Sequence, residues 1–135
     1  MFKSVSLVST LVVSFAAATP GFSQDADAGA KVFKKCKACH QIGEGAENGA
    51  GPQLYGIIGR TAGGAEGFKY GRDMVKAGEN GLVWTEDLLS DYLADPKKFL
   101  REYLDNPKAK AKMAFRLKKE KDRLNVIAYL ANVDQ

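Results

Sequence analysis

Cys36-Lys37-Ala38-Cys39-His40 holds both cysteines and the only histidine of this 135-residue chain. A Cys-x-x-Cys-His run is the attachment pattern of c-type haem. Two thiols on successive turns of a helix end can each form a thioether to a haem vinyl group. The adjacent imidazole reaches the iron as its proximal ligand. Two other chemistries use Cys-x-x-Cys. A closed zinc site needs four nitrogen or sulfur ligands, and beyond these three the chain has no further Cys or His. A thioredoxin-type dithiol belongs to a βαβ pattern, and no alternating apolar strand precedes Cys36.

Working outward, Met1 to Ser23 has a positive start at Lys3, an apolar stretch from Val5 to Ala18 and small residues before Gln24. This is the layout of a secretory signal peptide, expected to be cleaved near Ser23. The stretch is short for a membrane span. Residues 24–135 are then one domain by length, exported to the periplasm, where thioether attachment takes place. In so small a domain the haem can supply apolar core that side chains alone would have to provide.

The formal net charge is +4, a weak guide, but its distribution is uneven. Lysines gather around the motif (Lys34, Lys35, Lys37) and around Met113 (Lys108, Lys110, Lys112, Lys118, Lys119), while acids concentrate from Glu79 to Asp95. Such a surface can orient a docking partner. Lys35, Lys37, Lys112, Lys118 and Lys119 are the candidates.

The pattern predicts an all-α chain with long loops. Asp25 or Asp27 caps a helix to about Cys39, with Gly29 one turn before Phe33. Gln41 to Gly71 is glycine-dense, without a sustained period, and reads as a long loop with a large group to wrap. Asp73 to Ala77 reads as one weak turn. Thr85 caps a helix to Ala94, with Glu86 and Asp87 in its first turn and Pro96 at its end. A short helix follows from Lys98 to Leu104, stopped before Pro107. The last runs from Lys118 to Ala131, with Leu124, Ile127, Ala128 and Ala131 on its apolar face. No internal repeat, nucleic-acid motif or phosphate loop is found.

The iron's sixth position has two thioether candidates downstream, Met74 and Met113, and no second histidine. Met113 is the better one, because Lys108 to Arg116 has little helical pattern and can pass over the haem as a loop. Met74 can simply fill a gap, as lone methionines do.

Several further runs fall in order: Gly51-Pro52-Gln53-Leu54-Tyr55-Gly56, Gly59-Arg60-Thr61-Ala62-Gly63, Gly67-Phe68-Lys69-Tyr70, Trp84-Thr85, Tyr92-Leu93-Ala94-Asp95-Pro96, Lys112-Met113 and Val126-Ile127-Ala128-Tyr129-Leu130. With Cys36, Cys39 and His40, these make the chain resemble the class I cytochromes c, most closely the bacterial cytochrome c2 and cytochrome c-550 group. The resemblance implies the class I fold wrapped around one covalent haem c. It implies that the Pro52 carbonyl accepts from the His40 ring, that Arg60, Tyr70 and Trp84 donate to the haem propionates, and that Tyr92 sits beside the Met113 sulfur. Gly29 and Tyr129 would meet where the first and last helices cross. Two departures stand out: Ala111 replaces a threonine found in many relatives, and the stretch from Pro96 to Met113 is longer than in mitochondrial cytochromes c.

The function implied is that of a monomeric periplasmic one-electron carrier, not an enzyme. Its donor would be a cytochrome bc complex and its acceptor a photosynthetic reaction centre or a terminal oxidase, each met in transient docking at a membrane protein. No nucleic-acid partner is expected. The competing class is a haem enzyme or gas-binding protein with an open sixth position. Such chemistry usually wants a distal acid or base, and His40 is already spent. Covalent attachment through Cys36 and Cys39 predicts that acid-acetone leaves the haem on the polypeptide and that the intact mass exceeds the chain by one haem. Free haem in the organic phase would refute it.

Overall fold

The structure, a computed structural model, describes residues 24–133; the expected leader at 1–23 and the last two residues lie outside the described residues. Five helices occur among them, α1 (Ala26–Phe33), α2 (Arg72–Glu79), α3 (Glu86–Ala94), α4 (Pro96–Tyr103) and α5 (Glu120–Val133), with no strand. This is the expected all-α architecture with long loops.

Asp25 is the N-cap of α1, its carboxylate accepting from the Asp27 and Ala28 amides at 2.9 and 3.0 Å. The helix closes at Phe33 rather than at Cys39. From there the bonds shorten to three-residue turns, Lys35 N–H to Val32 O and Cys36 N–H to Phe33 O. That tightening turns the backbone more per residue than an α-helix would. It delivers Cys36, Cys39 and His40 on turns.

α1 packs across α5 at the point where Gly29 lies. A Cβ at Gly29 would sit 1.9 Å from Asn125 O and 2.8 Å from Tyr129 Cβ, so the crossing is backbone against backbone. The expected meeting of Gly29 with Tyr129 is found, and Phe33 continues it with its ring 5.4 Å from that of Tyr129. The apolar face of α5 differs from the expected one. Val126, Ile127 and Leu130 are buried with Asn125, whereas Leu124, Ala128 and Ala131 are only half-buried. α5 serves two neighbours, α1 and α3, so its buried sector is rotated from the single-face pattern. Asn125 is invisible to an apolar count, yet its buried amide oxygen accepts from Asp25 N–H at 3.0 Å.

Asp73 to Ala77 is not a weak turn but part of the two-turn α2, which buries Ala77 completely. Thr85 caps α3 as expected, its hydroxyl accepting from Leu88 N–H at 3.2 Å. Pro96 ends α3 by opening α4, which therefore starts two residues before the expected Lys98. Proline is well placed in a first turn, where its missing N–H has no partner to lose. Asp95 caps that turn by accepting from Lys98 N–H at 3.0 Å. This bond, with the charges of Arg116 and Lys97 nearby, holds the Asp95 carboxyl below its ordinary value. Arg116 reaches it at 3.3 Å and ties the loop ahead of α5 to the joint between α3 and α4.

The long loop from Gln41 to Gly71 is tied to the segment just ahead of α3. An isolated antiparallel bridge joins Thr61 to Val83, flanked by Gly59 N–H to Trp84 O at 2.7 Å and Ala62 N–H to Leu82 O at 2.8 Å. At the α1–α5 crossing a methyl group has only backbone to displace. Gly29→Ala should lower unfolding free energy by about 3 kcal/mol or more, at the upper end of overpacking costs, as read from denaturant titration of the holoprotein.

Candidate haem site

His40 is held at backbone and ring. Its N–H donates to Cys36 O at 2.9 Å, and its Nδ1 lies 2.7 Å from Pro52 O. A carbonyl only accepts, so Nδ1 carries the proton and donates, leaving the Nε2 lone pair as the free ligand atom. Gly51 makes the approach possible. A Cβ there would lie 2.4 Å from His40 Cε1, inside the ring's own volume. Gly51 N–H to Cys39 O at 2.8 Å and Leu54 N–H to Gln41 O at 2.8 Å bring the two segments together.

Cys36, Cys39, His40 and Met113 all line one cavity of ≈ 380 Å³, within the usual range for a cofactor pocket. Its walls include Phe33, Leu89, Val126 and Leu130, so α1, α3 and α5 each lend it an apolar face. The donor set fits a covalent haem: two thiols, an imidazole with one nitrogen free, and a thioether. Among the described residues no group of three His, Cys, Asp or Glu side chains is gathered to hold a bare metal ion, as a zinc site would require. Burial pushes the Cys36 thiol above its ordinary pKa, against the lowering charge of Lys35, with Cys39 adding to the rise. Met74 lines the same cavity.

The aromatic wall is a linked cluster. Trp84 and Tyr92 have ring centroids 5.0 Å apart, and Phe99 packs edge-on to Tyr92 at 5.7 Å. Burial, and secondarily the neighbouring Tyr70, push the Tyr92 phenol far above its ordinary pKa, so it keeps its proton. Tyr70 and Trp84 line the cavity. The Tyr70 hydroxyl accepts from Ala65 N–H at 2.9 Å, which leaves its own hydrogen to donate. Arg60 does not line the cavity. Its guanidinium donates to the Gln53 carbonyl at 2.7 Å and to the Tyr55 carbonyl, staking down the loop that presents Pro52.

All five candidate docking lysines are exposed. Lys35 lies 3.9 Å from Asp122, and the ammonium of Lys112 is engaged, donating to Lys69 O at 2.7 Å and lying 4.6 Å from the centre of the Phe68 ring. Three contributors escaped the sequence reading: Gly51 as a contact surface for the imidazole, Asp73, which accepts from Lys110 N–H, and Arg101, which donates to Ala109 O. The first was legible only as half of a Gly-Pro turn, because nothing local shows which ring will rest on it. The other two are charged residues on short helices, where charge normally signals a solvated face.

The fold and this pocket define a c-type haem protein, with one covalently bound haem c. The chain belongs to the cytochrome c family, which it matches over residues 26–134, and within it to the class I cytochrome c2 group. It is 48% identical over 133 residues to a cytochrome c-551 of Roseobacter denitrificans, covering 94% of each chain. It is 47% identical to a cytochrome c2 of Cereibacter sphaeroides, over 87% of this chain and 88% of that one. Among solved structures, cytochrome c2 from Rhodospirillum centenum superposes with a TM-score of 0.79 at 44% identity, over 82% of this chain and 99% of that chain. The protein is an electron carrier of the cytochrome c type.

The contact of Gly51 with the His40 ring predicts that Gly51→Ala, by forcing the ring aside, costs the holoprotein about 1–3 kcal/mol. It should also speed exchange of the His40 Nδ1 proton. Unchanged exchange by NMR would mean that the ring does not depend on this contact.

Proposed function

We propose that the protein is a periplasmic one-electron shuttle in which His40 and Met113 fill both axial positions of the haem iron, and that it is not an enzyme. Its leader at 1–23 is removed on export, leaving a single domain that acts as a monomer. The observation that carries the reading is the single cavity lined by Cys36, Cys39, His40 and Met113, with the second nitrogen of His40 already committed to Pro52. When bound, haem supplies the one-electron ferrous–ferric couple.

The chain's part is ligation, tuning and docking. The Pro52 bond fixes the His40 tautomer and raises the ring's basicity. The neutral Met113 thioether and the apolar walls favour the ferrous form and so raise the potential. Tyr92, kept protonated by burial, is a standing donor beside the Met113 sulfur. Tyr70, Trp84 and the remaining N–H groups of Arg60 serve the propionates, since charge-assisted bonds let buried carboxylates stay ionised. With His40 the only histidine, no imidazole is left to act as the distal acid or base of a peroxidase-like alternative.

Lys35, Lys37, Lys112, Lys118 and Lys119 meet acidic partners, a cytochrome bc complex as donor and a photosynthetic reaction centre or terminal oxidase as acceptor. The engaged ammonium of Lys112 makes it the least free of the five to move towards a partner. Met113→Ala should abolish the sulfur-to-iron band at the red end of the ferric spectrum and lower the midpoint potential, whereas Met74→Leu should change neither. A band that survives Met113→Ala, or a high-spin wild-type spectrum, would overturn the axial assignment.

A further inference from the structure

The segment joining α4 to α5 carries Met113 with neither helix nor strand to hold it. Between the amides of Ala109 and Leu117 its backbone N–H groups make one hydrogen bond among the described residues, Lys110 N–H to Asp73 Oδ2 at 2.7 Å. The carbonyl of that same peptide unit, Ala109 O, accepts from Arg101 Nε at 3.1 Å. One peptide plane is thus gripped by an anion from α2 and a cation from α4. In a trans peptide the N–H and C=O point opposite ways. The peptide dipole has its positive end at the hydrogen and its negative end at the oxygen, so both charges hold it in one orientation.

Burial sharpens this grip. Asp73 is 5% exposed and Ala109 1%, and charge-assisted bonds are stronger where water is excluded. The nearest cation to Asp73 is Arg72, 3.8 Å away on a side chain that is 90% exposed, a weak partner for a buried carboxylate. The Lys110 amide is the close one. α2 and α4 touch each other, so the two charges are borne on a joined frame, and Met113 follows three residues beyond the gripped peptide.

We infer that Asp73 and Arg101 are positioning residues for Met113. By fixing the Ala109–Lys110 peptide they set where the loop crosses the cavity, and so how firmly the sulfur stays on the iron. The inference rests on Met113 being the sixth ligand, and the test separates the two.

In the holoprotein, Asp73→Ala should speed exchange of the Lys110 amide by roughly 10- to 100-fold, the size of a hydrogen bond to a charged group. It should also lower the temperature at which the ferric sulfur-to-iron band disappears by more than it lowers global unfolding. Asp73→Asn keeps an acceptor oxygen and should recover most of both. Arg101→Leu should act in the same direction, and combined with Asp73→Ala should fall short of the product of the two effects, because they share one peptide.

Unchanged Lys110 exchange in Asp73→Ala, or band loss that coincides with global unfolding, would overturn the inference. If Asp73→Ala does not fold, exchange in the unaltered holoprotein decides. Lys110 must be more protected than Ala111 and Ala114, and equal rates would overturn the clamp. A ferric band absent from the unaltered protein, or surviving Met113→Ala, would refute the axial assignment while leaving the amide measurement to report on the clamp.

Discussion

The bond from His40 to the Pro52 carbonyl sets the terms for the rest of the molecule. It demands that two segments eleven peptide bonds or more apart in the chain meet face to face, with a hydrogen atom in place of a side chain at Gly51. Once that is met, the imidazole has one tautomer and one free nitrogen. The loop behind Pro52 must then be stiff enough to keep its carbonyl in place, and Arg60 provides this by donating to the Gln53 and Tyr55 carbonyls. Arg60, expected as a donor to the propionates, thus also braces the strap that orients the histidine.

The same division of labour recurs at Met113. The segments that carry His40 and Met113 have little regular structure of their own, and charged side chains pin each of them to its surroundings. Arg116 ties to Asp95, Arg123 donates to the Leu117 and Lys118 carbonyls, and Lys112 ties to Lys69. Most of these lie near the surface, where single ion pairs contribute little. Their common subject is what counts: Arg116 and Lys112 reach out from the loop between α4 and α5 and Arg123 reaches into it, each fixing a different point along it. The apolar cavity thus has walls from helices and rims from loops pinned by charge.

Much of this was legible beforehand, for identifiable reasons. Cys36, Cys39 and His40 are adjacent, so their chemistry needs no tertiary information. Thr85 and Asp25 cap helices by reaching two or three residues ahead, again a local matter. Errors arose where the tertiary environment decided. Asp73 to Ala77 read as one weak turn, five residues with two charges between Gly71 and Gly78, yet Ala77 packs into the core and secures a full helix. The α5 face was misjudged because a helix with two neighbours does not keep one stripe, and because Asn125 earns its burial through the Asp25 amide. At the site, the Cys-x-x-Cys-His run was readable and the contacts of Asp73 and Arg101 were not, because these gain meaning only through a peptide far along the chain.

The hydrogen bond between Asp25 and Asn125 spans a hundred positions, and the crossing at Gly29 belongs to the same contact. Closing so long a chain costs about 4 kcal/mol of loop entropy on a (3/2)RT ln n scale, and four of the five helices, at eight or nine residues, are too short to persist alone in water. A nascent polypeptide therefore cannot complete the α1–α5 crossing until its last helix has been synthesised and delivered. Until then Cys36 and Cys39 remain on an open chain; the finished fold half-buries Cys36 and leaves Cys39 exposed. The lateness of that crossing is written into the distance between the two helices.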